Sequence, residues 1–401
     1  MVTATTLFLW LTAASGLAGA ADVRALLERI GDADLVLLGN PQAARPVRVL
    51  LATRVAAPPQ RVREIVAAAD SYRKAMPSFR RTDVVARRAR GRGLTDMQVA
   101  WELDVPLWNL KGRLWLRPRS DGADLVLEEG DLAPGLFHLT AGPDRPPRSD
   151  RSVFIVEGFA NLAQANVAAR ELSKRSALAE PAMAVAASYV MMKSLARLAE
   201  GGSPGRPTAA VAAPEFRKLD AARTGRAALG LSLAHGLLAA VRSRDDGRLA
   251  GVEVAGLGSS RAAQRAAGAV APERFRALPG WKKIEVVTEH PDTCHDPEAV
   301  CWTVQTNLPL FSLDGTWKIR THPWRARMVA GEREGALLGM DVVTGEGAAR
   351  PAIVLSEQPR ADRAGFLPRK LVMAEPYLEH GLALALAVVD AASLLPALER
   401  D

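Results

Sequence analysis

The stretch AWELDVPLWNLKGRLWLRP, Ala100 to Pro118, returns in altered form as CWTVQTNLPLFSLDGTWKIRTHP, Cys301 to Pro323. A chain that repeats itself about one domain length apart must build the same unit twice, which restricts its fold more than composition does. The two stretches align on Trp101 with Trp302, Pro106 with Pro309 and Gly112 with Gly315. Upstream, Ala56 to Val85 faces Ala255 to Val287, with Met76-Pro77 against Leu278-Pro279 and Phe79 against Trp281. Downstream, Ala179-Glu180-Pro181 and Ala374-Glu375-Pro376 each open a long helical pattern. The Gly-, Pro- and Ala-rich stretch EGGSPGRPTAAVAAPE, Glu200 to Glu215, separates the copies and reads as a linker.

Each copy has one order of elements: a strand, a short helix, a Pro-containing turn, several strands and a long C-terminal helix. Pro58-Pro59 suits the start of the first short helix, because proline is tolerated in the first helical turn. Trp101, Leu103 and Val105 alternate with Glu102 and Asp104, which predicts a half-buried strand with both carboxylates on its wet face. Leu114 and Leu116 share one face, Arg113, Trp115 and Arg117 the other; Trp317 and Ile319 match the leucines. Met183, Ala187, Val190, Met191, Ser194, Leu195 and Leu198 recur at helical spacing, as do Leu378, Leu382, Ala385, Leu386 and Val389. An antiparallel sheet covered by a long helix is an α+β arrangement.

The run VAAPPQRVREIVAAADSYRKAMPSF, Val55 to Phe79, with the Tyr72, Met76, Pro77 turn and the W-x-L…G-x-L-W-L-R-P strand pair, resembles the START-like (polyketide cyclase, SRPBCC) superfamily, and within it the coenzyme Q-binding group. The resemblance covers 45–200 and, more weakly, 245–401. It implies two tandem helix-grip domains, each a curved antiparallel sheet wrapped on a long C-terminal helix around a hydrophobic cavity. The expected organisation is a signal segment over 1–21, a first domain over 22–200, a linker over 201–215 and a second domain over 216–401. Residues 22–44 and 216–245 lie outside the resemblance and are each expected to add a helix or strand. The cavity lining expected from the inward faces is Trp101, Leu103, Leu114, Leu116, Met183, Ala187 and Met191 in the first copy, and Trp302, Val304, Trp317, Leu378 and Leu382 in the second.

The apolar run Leu7 to Leu17, followed by Ala18-Gly19-Ala20, fits a cleaved secretory signal, although its n-region lacks Lys or Arg. No other stretch reads as a membrane span. Cys294 and Cys301 are the two cysteines; in an exported protein their spacing suits a local disulfide, with free thiols or a metal as alternatives. The formal charge is +8, with arginines clustered in ARRARGRG, Ala86 to Gly93. That hairpin is either a solvated loop or a contact for anionic lipid headgroups. Aromatics make up 5% of the chain, which argues against stacking on single-stranded nucleic acid.

No G-x-S-x-G, H-E-x-x-H or P-loop motif occurs, and GEGAAR at Gly345 reads as a turn. His138, His235, His290, His295, His322 and His380 are scattered; His380 is the candidate to act as a base inside a cavity. Thr306, Ser194 and Tyr189 are the other polar candidates on inward faces. No cofactor or metal is expected. The leading expectation is a non-enzymatic binder or carrier of a hydrophobic ligand, a lipid or isoprenoid quinone, in the cell envelope. The alternatives are a cyclase- or aromatase-type enzyme and a structural module whose grip domains are filled.

Overall fold

The computed structural model describes residues 20–39, 47–91, 93–105, 108–144, 150–161, 178–202, 219–230, 236–244, 247–268, 272–276, 281–287, 299–306, 314–321, 323–331, 334–358, 360, 375 and 377–400. The first half runs α1 (Ala20–Ile30), β1 (Asp34–Gly39), β2 (Val49–Val55), α2 (Pro59–Val66), α3 (Ala69–Ala75), β3 (Phe79–Gly91), β4 (Leu94–Val105), β5 (Trp108–Arg119), β6 (Gly122–Gly130), β7 (Gly135–Pro143), β8 (Ser152–Phe159) and α4 (Ala179–Ala199). The second half repeats that order: α5 (Ala221–Leu229), β9 (Gly236–Ser243), β10 (Leu249–Leu257), α6 (Ser260–Ala267), α7 (Pro272–Phe275), β11 (Trp281–Val286), β12 (Ala299–Thr306), β13 (Gly315–Thr321), β14 (Trp324–Gly331), β15 (Leu337–Val343), β16 (Ala352–Gln358) and α8 (Leu378–Glu399). Each half is thus extended at its front by one helix and one strand, α1–β1 and α5–β9. The expected linker lies almost wholly outside the described residues.

The two halves share one sheet rather than carrying one each. Its 16 strands run β11-β12-β13-β14-β15-β16-β10-β9-β1-β2-β8-β7-β6-β5-β4-β3, joined at the centre by antiparallel pairing of β1 with β9. The central strands read DLVLLG and GLLAAV, near-continuous apolar runs, because they are covered on both faces. Val36, Leu38, Val49, Leu51, Ala239 and Val252 face α4 and α8, in the larger core. Leu35, Leu37, Leu50, Leu238, Ala240 and Ala255 face α1 and α5, in a second core with Val23, Leu27 and Ile30.

The long helices α4 and α8 pack on each other as well as on the sheet. Gly381 sits at their crossing: a Cβ there would lie 2.9 Å from the Ala186 carbonyl oxygen. Glu375, just ahead of α8, reaches into the first half, where its Oε2 accepts hydrogen bonds from Ser78 Oγ (2.8 Å) and Ser78 N (3.3 Å). The halves also repeat a lock at the far end of each long helix. Glu200 accepts from Ala56 N at 2.8 Å, and Glu399 accepts from Ser259 N at 2.7 Å, so each helix end is tied to the turn that starts the short helix.

By length and composition α8 is apolar enough to cross a membrane, contrary to the expectation that only the N-terminus holds such a stretch. It packs here on α4, β10, β16 and β9 instead, and it buries Glu379, His380 and Asp390. Cys301, the third residue of β12, is buried and disulfide-bonded; Cys294 lies outside the described residues. Residues 344–351, including Gly345, form the turn between β15 and β16.

The glycine match between the copies holds in register, and the tryptophan match does not. Gly112 pairs with Gly130, and Gly315 with Gly331, and a bulge follows in each copy between 113 and 114 or between 316 and 317. Trp101 pairs with Gly112, whereas Gly315 pairs with Val304, so Val304 is the equivalent of Trp101. Trp302 pairs with Trp317 as Val99 pairs with Leu114. The paired strands are equally spaced in the two copies, Trp101 to Gly112 as Val304 to Gly315, so the second copy simply carries its tryptophan two residues earlier along the strand.

Gly381→Val should overpack the α4–α8 crossing. The expected loss is about 1–3 kcal/mol, read as a lower urea midpoint with unchanged slope.

Candidate functional site

On β4 the side chains of Met97, Val99, Trp101 and Leu103 point to the helix side of the sheet, opposite Leu116, Leu114, Gly112 and Leu110 of β5. Directly opposed residues of an antiparallel pair share a face, so these form one apolar surface. The Trp101 indole lies over Gly112, where a Cβ would come within 2.9 Å of its ring. Trp101 is 4% exposed, and its Nε1 has no hydrogen-bond partner among the described residues. Met97, Leu103 and Leu114, with Met183, Met191 and Leu198 of α4, are only partly buried against this core.

The equivalent surface of the second half is filled. From the paired registers, Trp302, Trp317 and Trp324 stand where the first half has Val99, Leu114 and Ala123. All three tryptophans are buried, and Phe275 packs among them. Its ring stacks on Trp324 with centroids 4.8 Å apart and meets Trp302 edge-on at 5.4 Å. Offset and edge-to-face aromatic contacts of this kind stabilise a closed core.

A buried polar cluster lies where the halves meet. Asp34, at the start of β1, accepts hydrogen bonds from Thr53 Oγ1 on one oxygen and Tyr189 OH on the other, both at 2.6 Å. Lys193 Nζ stands 3.0 Å from Asp34 Oδ2 and 3.3 Å from Thr53 Oγ1. One turn apart on α4, Tyr189 and Lys193 therefore grip one carboxylate. Burial pushes the Tyr189 hydroxyl well above its usual range, and the adjacent Asp34 carboxylate pushes it further, so it stays a donor. Burial, the largest single influence, would lower Lys193, but the Asp34 charge and hydrogen bond together with the fields of Tyr377 and Glu200 outweigh it, and the ammonium is held. From the second half, His380 stacks on Tyr189 with centroids 6.1 Å apart, its Nε2 is 3.3 Å from Ser243 Oγ, and Tyr377 meets it edge-on. This arrangement holds its protons firmly and suits a structural ion pair better than proton transfer.

Of the expected lining, Trp101, Leu103, Leu114 and Leu116 converge on one surface, with Met183 and Met191 at its margin. Ala187 does not join them: it is exposed. At about 100° per residue it lies opposite Val185 and Tyr189, which face the sheet. The sheet-facing row of α4 is Val185, Tyr189, Met192 and Ala196, one residue off the expected row in places. Trp302, Val304 and Trp317 are buried in the filled half. Leu378 and Leu382 are half-buried and lie off the core-facing row of α8, which is Leu384, Ala387, Val388, Ala391 and Leu394.

Asp104 pairs with Arg80 on the outer face. His138 is held by Asp124 at 2.8 Å. His235, His290, His295 and His322 lie outside the described residues, as does the side chain of Thr306. No cluster of potential metal ligands occurs among the described residues. Sequence reading missed Asp34, Thr53 and Lys193. Their signal was a charge or hydroxyl placed inside otherwise apolar runs, DLVLL, LLATRV and YVMMKSLA.

No protein-family model matches this chain, and no curated protein does. Solved structures with similarity include a START superfamily protein from Mycobacterium smegmatis, 16% identical over 28% of this chain and 76% of that one, TM-score 0.25. The di-domain aromatase/cyclase StfQ from the steffimycin biosynthetic pathway is 12% identical over 84% of this chain and 97% of its own, TM-score 0.25. The Zhui aromatase/cyclase from Streptomyces sp. R1128 is 15% identical over 38% of this chain and 93% of its own, TM-score 0.30. Matches at these TM-scores carry no weight for ligand or activity.

Asp34→Asn leaves the partly buried Lys193 ammonium without its carboxylate partner. The expected loss is about 3–5 kcal/mol in urea unfolding, with part of it recovered in the double variant Asp34→Asn, Lys193→Met. Burial raises the Glu375 carboxyl above its usual range, against the lowering effect of the Ser78 hydrogen bonds. Its favourable contribution is therefore complete at low pH and lost as pH rises through the folded-state value. Glu375→Gln should match the parent in stability near pH 4 and exceed it above pH 6; equal stability at both values would contradict this sign.

Proposed function

We propose that this chain is a non-enzymatic carrier of a hydrophobic ligand, seated against the inward face of the first half. The observation that carries the reading is the asymmetry between equivalent faces. Three indoles fill the second half where the first has an isopropyl, an isobutyl and a methyl group, at Val99, Leu114 and Ala123. The first face keeps partly exposed Met97, Leu103, Leu114, Met183 and Met191 and a buried Trp101 indole N–H with no hydrogen-bond partner among the described residues. An apolar molecule bearing one acceptor, such as an isoprenoid quinone or a lipid carbonyl, would bury that surface and satisfy the donor. Methionine side chains adapt to flexible apolar ligands. The filled half then serves as a rigid partner through α8.

A cyclase-type reading needs a polar group free to act on substrate. Tyr189, one of its candidates, spends its hydroxyl on Asp34. We also propose export. Cleavage after Ala21 would keep Val23, Leu26, Leu27 and Ile30, the buried residues of α1, in the mature chain. Export would also place the bonded Cys301 in an oxidising compartment, where Cys294 is its proposed partner. N-terminal sequencing of the secreted protein should then begin at Asp22.

Purified without detergent, the protein should yield a stoichiometric lipid or quinone on organic extraction and mass spectrometry. Leu114→Trp, which copies the second half into the first, should lower that occupancy at least tenfold while costing no more than about 3 kcal/mol of unfolding free energy. Substitution of Trp317 by Leu should leave occupancy unchanged. A stable protein that is empty in every preparation and binds no apolar probe would overturn the carrier reading.

A further inference from the structure

The inward face of β3 to β8 carries almost no charge. Along β3 the inward side chains are Phe79, Thr82, Val84, Arg87 and Ala89, since these pair directly with Leu103, Trp101, Val99, Met97 and Thr95. The inward residues of β4 to β8 are uncharged. Arg87 is therefore the one charged side chain on the inward face of β3 to β8 among the described residues. It is exposed, makes no ion pair or hydrogen bond among the described residues, and lies directly opposite the partly buried Met97. Its neighbour Arg88 is also exposed but pairs opposite Asp96, on the outer face.

We propose that Arg87 is the headgroup anchor of the ligand site, and that the ligand is an anionic amphiphile with a carboxylate or phosphate head. This rests on the proposed carrier function and narrows its ligand class. A guanidinium binds either oxyanion through paired, charge-assisted hydrogen bonds. From Arg87 the inward row continues through Met97, Val99 and Trp101, about 13 Å along β4, so a chain anchored at Arg87 lies along apolar surface as far as the free indole N–H. The competing account is edge protection. β3 is the last strand of the sheet, and an inward-pointing charge on an edge strand discourages edge-to-edge pairing.

The test uses the full chain and two probes that differ only in charge, cis-parinaric acid and its methyl ester. The parent should bind the acid more tightly than the ester. Arg87→Gln should lose about tenfold in affinity for the acid and nothing for the ester, Arg87→Lys should retain most of the binding, and Arg88→Gln should match the parent. Displacement of the bound acid by lysophosphatidic acid, or only by palmitate, distinguishes a phosphate from a carboxylate head. Equal losses in Arg87→Gln and Arg88→Gln would reduce the effect to general surface charge and overturn the assignment. So would an Arg87→Gln protein that aggregates yet binds the acid normally. If acid and ester bind the parent alike, the anionic head is wrong and the carrier reading stands; if neither probe binds, the carrier reading fails and the anchor with it.

Discussion

β1 and β9 pair in antiparallel register from Asp34–Val241 to Gly39–Gly236. Without that pairing each half would end in an open, strongly apolar edge strand, the kind of surface that invites aggregation. With it, eight strands on each side become one sheet, and the four central strands are buried on both faces. The pairing also sets the distance between α4 and α8, which lie side by side over the seam and touch at Gly381. The short helices α1 and α5 close the opposite face, so the front extension of each half serves the junction more than its own half.

The junction is also where the molecule accepts its most expensive interactions. Asp34, Thr53, Tyr189 and Lys193 come from three elements of the first half, and His380, Tyr377 and Ser243 complete the surroundings from the second. Across the seam, on the α1 and α5 side, Arg242 bonds Glu253 and the Ile30 carbonyl, which ties α1 of the first half to β9 and β10 of the second. A buried ion pair adds little net stability compared with apolar packing, but breaking it is costly, so such pairs favour one arrangement over its near alternatives. Two similar halves joined by a pseudo-symmetric seam have such alternatives, and an unsymmetrical polar cluster discriminates between them.

The halves have diverged in what they enclose. The glycine pairs and the adjoining bulge are kept at the same register because they are backbone devices: a Cβ at Gly112 would stand 2.3 Å from the Glu129 carbonyl, and one at Gly315 2.3 Å from the Ala330 carbonyl. The inward side chains have no such constraint, and there the two halves differ: Val99, Leu114 and Ala123 in one, three indoles in the other.

Duplication, the order of elements, the inward and outward faces of β4 and β5, and the helical nature of the last segment of each half were legible from the sequence, because each is a local pattern of period two or near 3.6 repeated at one spacing. Rotation of α4 was not: several apolar stripes fit its alanine-rich sequence, and only packing against β2 and α8 selected Val185 and Tyr189 over Ala187. Register was not either, since Trp101 and Trp302 match as letters but occupy neighbouring, non-equivalent rungs. The joining of two sheets into one, the meeting of Asp34 with Lys193 across 159 residues, and the isolation of Arg87 on an apolar face depend on long-range pairing that no window of sequence contains. Sequence determined that the unit is built twice; tertiary structure decided how the two copies fuse and which one packs three indoles on its inward face, because volume and charge in an interior depend on the side chains facing a residue across space rather than on its neighbours along the chain.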